Sequence, residues 1–131
     1  MAILILEDSD ERIVWFRQRF PDAVITADAD EAIRLLSTAP YDLVFLDHDL
    51  GGIHYERYNF ADDEGTGRKV TRWLATVEDQ KSTRFIVHSL NAPGSAAMIE
   101  TLILSGRRAE WIPFTVLSGA LDHANNPFHI V

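Results

Sequence analysis

Asp42-Leu43-Val44-Phe45-Leu46-Asp47-His48-Asp49-Leu50 is the stretch that decides how this chain is read. Its apolar residues follow one another without a polar break, which suits a strand covered on both faces, since a half-exposed strand would alternate. The run then stops at three titratable side chains in a row. Four more short apolar runs lie around it, Ile3–Leu6, Ala23–Thr26, Arg84–His88 and Glu110–Thr115, with Asp42–Leu46 as the third of five. Between them the apolar residues take helical spacing. Asp10–Phe20 aligns Ile13, Phe16 and Phe20, and 28–38 aligns Ala32, Leu35 and Leu36, with Asp28 or Asp30 to cap its start. Arg68–Val77 repeats Val70, Trp73, Leu74 and Val77, and Gly94–Leu104 repeats Ala97, Met98, Thr101 and Leu102. Strand and helix in alternation predict a parallel sheet with helices on both sides.

Two segments depart from that rhythm. Residues 48–66 separate the third strand from its helix, where such loops run about two to six residues. They carry glycines and the aromatic set His54, Tyr55 and Tyr58, and are read as a lid whose rings stack on a base or anchor the loop. At the other end, Ser118–Asn125 has room for a short final helix before Asn126-Pro127. No repeat or linker interrupts the 131 residues, so the expectation is one domain over 1–131.

The totals narrow the function. Nearly half the residues are hydrophobic, enough for a real core, and no run of about eighteen apolar residues spans a bilayer. No leader is expected at Met1, and the absence of cysteine removes disulfides, thiolate metal sites and a thiol nucleophile, which favours a cytoplasmic setting. A net charge of −8 argues against duplex nucleic acid, while a small phosphorylated ligand held with a divalent cation stays open.

In open parallel sheets ligands bind beyond the carboxyl ends of the strands where strand order reverses. For an order 2-1-3-4-5 that point lies between the first and third strands, with the fourth beside them. Glu7-Asp8, Asp47-His48-Asp49 and His88-Ser89-Leu90-Asn91 follow those three strands. Carboxylates crowded together raise one another's pKa unless a cation joins them, and Mg²⁺ or Mn²⁺ is the usual partner of oxygen ligands. Glu7, Asp8 and Asp47 are the candidate metal set, Asp8 and Asp47 as ligands with Glu7 or Asp49 behind them. Asp47 could otherwise hydrogen-bond loop amides. His48 and His88 are read either as strand-end histidines satisfied by carbonyls or as a pair for acid–base work or metal ligation. Asn91 precedes Ala92-Pro93-Gly94, so it is a helix N-cap, a ligand contact, or both. Ser89 is a hydrogen-bond donor, since no serine-elbow pattern surrounds it. Arg68 and Lys69 are read as a solvated face, His123 and His129 as surface, and Trp15, Trp73 and Trp111 as core.

Glu7-Asp8 and the Asp47 that closes Asp42–Asp47 resemble the acidic pair and acceptor aspartate of two-component receiver domains, with Ser89 near the family's switch hydroxyl. The resemblance covers nearly the whole chain and implies a flavodoxin-like three-layer sandwich, bound Mg²⁺ and phosphoryl transfer to Asp47. One departure is sharp. The family's lysine at the end of the fifth strand, before a proline, is Ile112 before Pro113 here, and the only lysines are Lys69 and Lys81. Leu46–Leu50 together with His88–Asn91, and Glu11-Arg12 near the start, are similar to a divergent receiver-like group proposed to process cyclic phosphates. That resemblance implies a phosphoesterase acting on a cyclic or other small phosphorylated substrate, a nucleotide included. His48, His88, Asp47 and Asp49 would be catalytic, Ser89 and Asn91 would bind substrate, and Asp49 would set a histidine tautomer. The rival readings are a non-catalytic pseudo-receiver that binds a ligand or an unidentified protein, and a response regulator phosphorylated on Asp47.

Overall fold

The computed structural model describes residues 1–50 and 66–121. Five parallel strands, β1 (Ile3–Leu6), β2 (Val24–Thr26), β3 (Leu43–Leu46), β4 (Arg84–Val87) and β5 (Arg108–Trp111), form one sheet in the order β2-β1-β3-β4-β5. The helices are α1 (Asp10–Arg19), α2 (Ala29–Thr38), α3 (Gly67–Leu74), α4 (Ala92–Leu104) and α5 (Phe114–Leu121). This is the flavodoxin-like arrangement expected from the alternating runs. Among the described residues no helix is long and apolar enough to cross a membrane.

The two faces of the sheet build separate cores. Leu6, Leu46 and Val87 are register partners, and with Leu4, Val44 and Phe85 they pack against α2, α3 and α4 through Ala32, Leu36, Val70, Leu74, Met98 and Leu102. Ile5, Phe45 and Ile86 make the neighbouring row and face the other way, onto Phe16 of α1 and Leu117 of α5. Side chains alternate along a strand, so each row at the strand ends inherits one of these two faces.

The helix starts follow local chemistry. Ser9 caps α1, Asp28 caps α2, Thr66 caps α3, and Asn91 caps α4 by accepting the Gly94 N–H at 3.0 Å. Pro93 lies in the first turn of α4, where its missing N–H costs nothing.

The fifth strand is a correction. It was expected over Glu110–Thr115 and lies instead at Arg108–Trp111, directly after a turn at Gly106 (φ +87°). As an edge strand it is only half buried, so polar Arg108 and Glu110 belong to it, and Glu110 pairs with Arg84 of β4. The apolar run after Trp111 instead feeds a helix, for the Pro113 carbonyl accepts the Leu117 N–H at 2.8 Å. The last helix therefore starts at Phe114 rather than Ser118. The expected lid, with His54, Tyr55 and Tyr58, falls largely in 51–65, and His123 and His129 fall after 121, so all five residues lie outside the described residues.

Candidate functional site

Each central strand carries its ladder one residue past its end. Asp47 N–H reaches Leu6 O at 3.1 Å, and His88 N–H reaches Leu46 O at 3.0 Å. Glu7, Asp47 and His88 are thereby set side by side in the row that faces α1 and α5. All three are buried, and a ligating atom from each lies within 4.8 Å of the other two.

Glu7 is held on both oxygens. Its Oε2 accepts the backbone N–H groups of Asp8 and Ser9 at 3.0 and 3.1 Å, and its Oε1 lies 2.9 Å from His88 Nε2 and 3.7 Å from an Arg12 guanidinium nitrogen. Burial pushes this carboxyl up, but the His88 bond, the Ser9 amide and Arg12 outweigh it, and its pKa sits below the ordinary value. His88 is driven the other way. Burial among Phe16, Phe45 and Phe114 lowers its pKa against the pull of Glu7, so the imidazole is neutral and Nε2–H donates to the carboxylate. Its Nδ1 is buried and has no hydrogen-bond partner among the described residues. A metal-ligating imidazole normally donates its second N–H to a nearby acceptor. His88 therefore fits as the group that orients Glu7 better than as a metal ligand.

Asp47 bears the cost of that arrangement. Burial first, and then the charge of Glu7, raise its pKa to about 8, while the charge of Arg12 and the His48 N–H on its Oδ1 at 2.9 Å offset only part of this. A carboxyl raised by a neighbouring carboxylate is what a divalent cation would relieve. The oxygen-rich set of Glu7, Asp47 and the adjacent Asp8 suits Mg²⁺ or Mn²⁺, which take oxygen ligands.

The two histidines part company here. His48 belongs to the opposite row, and its ring packs flat on Gly94 of α4, where an added Cβ would stand 2.6 Å from His48 Cδ2. His48 Nδ1 lies 2.7 Å from Asp49 Oδ1, and Asn91 Nδ2 donates to the same oxygen at 3.2 Å. Asp49 is thus in contact with an imidazole, and Asn91 both caps α4 and binds Asp49. The backbone of β3 is pinned from this side too, since Gly67 N–H donates to His48 O at 2.9 Å and a Cβ on Gly67 would collide with Asp47 O. His48 and His88 thus stand on opposite faces of the sheet rather than as one facing pair.

Above Glu7 and Asp47 opens a cavity of about 360 Å³ lined by Glu7, Asp8, Ser9, Arg12, Asp47, Asp49, Ser89 and Leu90. Five of the expected site residues are among these, Glu7, Asp8, Asp47, Asp49 and Ser89. His48, His88 and Asn91 stand behind them. Ser89 is buried, with its Oγ accepting the Asn91 N–H at 3.0 Å and its carbonyl accepting Trp111 Nε1–H at 2.8 Å. The strand register puts His88, not Ser89, beside Asp47. Lys69 is bound to Asp30 of α2 at 2.8 Å. Arg12 enters the site as well, from the Glu11-Arg12 pair that the family resemblance includes without giving it a role. Its signal in the sequence is a cation in the first turn of a helix, where the other two residues, Asp10 and Glu11, are acidic.

The fold recurs in solved receiver domains. The signal receiver domain of a LuxO repressor protein from Vibrio parahaemolyticus superposes with a TM-score of 0.64 at 18% identity, covering 92% of this chain and 83% of that one. A CheY-like receiver domain from Methylobacillus flagellatus gives 0.64 at 17% identity over 93% and 92%. The receiver domain of a sensor histidine kinase from Pseudomonas aeruginosa, which holds a magnesium ion in its active-site cleft, gives 0.62 at 18% over 92% and 90%. No curated protein sequence matches the chain. Residues 2–103, most of the chain and all of the strand ends that build the cavity, match the model of the cyclic-phosphate processing receiver domain. With its fold, its acidic strand ends and that match in agreement, the chain belongs to the cyclic-phosphate processing receiver domain family.

Proposed function

We propose that this chain binds a small phosphorylated ligand of the cyclic-phosphate class, together with Mg²⁺ or Mn²⁺, in the cavity at the strand ends. The observation that carries this reading is the make-up of the cavity, two buried carboxylates at its floor, two more on its walls and one guanidinium among them. Asp8 and Asp47 would hold the ion, with Glu7 behind them. When bound, the ion neutralises the carboxylates and polarises a phosphoryl oxygen. The chain's own groups do the rest. His88 and two backbone amides fix Glu7, and Asp49 is held by His48 and Asn91 at the cavity wall. A cytosolic setting, where nucleotides circulate, belongs to the same reading.

Binding without turnover is favoured over hydrolysis by one geometric fact. His88 is fully buried against Glu7 and His48 is packed on Gly94, so neither imidazole lines the cavity as an exposed proton carrier. The phosphoesterase remains the second reading, supported by the family match and by the His48–Asp49 contact at the wall. Phosphorylation at Asp47 ranks last, because Ile112 stands where the receiver pattern has its lysine.

Isothermal calorimetry with 2′,3′- and 3′,5′-cyclic nucleotides in saturating Mg²⁺, followed by chromatography of the same mixtures, separates these readings. Binding with intact ligand supports the proposal. Conversion abolished by His48→Ala would move the protein to the phosphoesterase reading. Lack of binding at millimolar ligand would overturn both.

A further inference from the structure

Arg12 is the one cationic side chain among the described residues that line the cavity. Its guanidinium carbon lies 4.9 Å from the centre of the Phe114 ring, so the side chain bridges α1 to the first residue of α5. It thereby brings a positive charge to the side of the cavity where Ile112-Pro113, the link from β5 to α5, supplies none.

Three features separate it from an ordinary surface arginine. Its side chain is only 24% exposed and lies over an aromatic face, which holds the planar fork in place before anything binds. It is the third residue of α1 after the Ser9 cap, where the aligned peptide dipoles favour acidic residues and disfavour a cation. Placement against a local preference is expected where function, not folding, selects the residue. Finally, its tie to Glu7 is an ion pair without a hydrogen bond, so its N–H groups keep their donor capacity. The Glu7 oxygens are bonded to two backbone amides and His88, Arg12 stays 3.7 Å away, and no guanidinium N–H makes a hydrogen bond to a described residue.

We infer that Arg12 is the anion-recognising residue of the cavity, its guanidinium taking the non-bridging oxygens of a phosphodiester. A cyclic phosphodiester carries one negative charge and two such oxygens, which match a planar two-pronged donor. The assignment rests on the phospho-ligand reading above and adds the residue and the form of phosphate it selects.

The test measures two affinities on the full chain, wild type against Arg12→Gln and Arg12→Lys. The first is for Mg²⁺ alone; the second is for inorganic phosphate and for 2′,3′-cyclic AMP in saturating Mg²⁺. Arg12→Gln is expected to weaken cyclic AMP binding by about 10- to 100-fold, the scale of a lost charge-assisted hydrogen bond. Its Mg²⁺ affinity should hold or tighten, since a positive charge near the carboxylates is removed. Arg12→Lys, which keeps the charge but loses the fork, should fall between them, and it carries the test alone if the glutamine variant does not fold. Tighter Mg²⁺ binding with unchanged anion affinity would make Arg12 a counter-charge for Glu7 and Asp47 and overturn the inference alone. Failure of the wild type to bind either anion would overturn the phospho-ligand reading and this inference with it.

Discussion

Asp47 is the residue on which stability and ligand binding pull in opposite directions. Burial and the charge of Glu7 raise its carboxyl to about 8 in the folded chain, whereas an aspartate free of such surroundings titrates at about 3.9. Between those values the folded chain keeps a proton that the unfolded chain has lost. The stabilising contribution is thus complete below about pH 4 and is lost as pH rises toward 8, by up to about 1.4 kcal/mol per pH unit. Glu7 and His88, both lowered, contribute in the opposite sense and weaken the fold toward acid, Glu7 below the usual carboxylate range and His88 below about pH 6.5. Comparing Asp47→Asn with wild type largely isolates the first effect. Without divalent ions the variant is expected to melt higher, with a gap that widens from pH 5 to pH 8; a gap independent of pH, read by thermal unfolding, would contradict the assignment. Gly94 makes a second residue-scale case. A methyl group there meets the His48 ring at 2.6–2.8 Å, and a helix backbone cannot easily retreat. Gly94→Ala should therefore destabilise by about 1–3 kcal/mol, despite alanine's better helix propensity. The loss should shrink sharply in a His48→Ala background, so denaturant titration of the full cycle checks the contact itself.

At the scale of elements, the opposite end of the sheet depends on one side chain. Gln80 has φ +63° and ties three segments together. Its amide nitrogen donates to Leu36 O in the last turn of α2 and to Ala39 O just after it, and its oxygen accepts the Tyr41 N–H before β3 and the Thr83 hydroxyl before β4. Gln80→Gly would relieve the backbone but leave those partners unmet, and about 1–3 kcal/mol of net destabilisation is expected by chemical denaturation. A neutral or stabilising result would mean that backbone strain outweighs the network. β1, β3 and β4 were legible in the sequence because a strand buried on both faces must be apolar throughout. β5 was not, because an edge strand alternates, and the stronger apolar run beside it from Trp111 to Leu117 belongs mostly to a helix. The same alternation hid the separation of the histidines. Asp47 and His48 are adjacent in sequence, but a strand sends neighbours to opposite faces. Glu7, Asp8, Asp47, Asp49 and Ser89 could be named as site residues from strand order alone, whereas the role of Arg12 needed the position of Phe114, which no motif reports.

For the whole molecule, folding and cation binding are linked. An ion that binds the folded site and not the unfolded chain stabilises by about 2.7 kcal/mol at a hundredfold excess over its Kd, roughly 8–12 °C in melting temperature for a chain of this size. Mg²⁺ is expected to produce such a rise for wild type at pH 7.5 and to release a proton from Asp47 on binding, seen as a buffer-dependent calorimetric heat. An equal rise in Asp47→Asn would place the ion elsewhere on this acidic chain.

The two rows at the strand ends also decide which kinds of genetic change the protein can absorb. Substitutions within the cores alter volume and leave every side chain on its own face. Loss or gain of one residue within β3 does something different in kind, because the side-chain period is two. It would turn His48 or Leu46 toward Glu7 and send Asp47 to the Gly94 side, exchanging the contents of two chemical compartments in one step. The lineage of this protein should therefore tolerate drift in letters along Leu43–Leu46 far more readily than any change in their number.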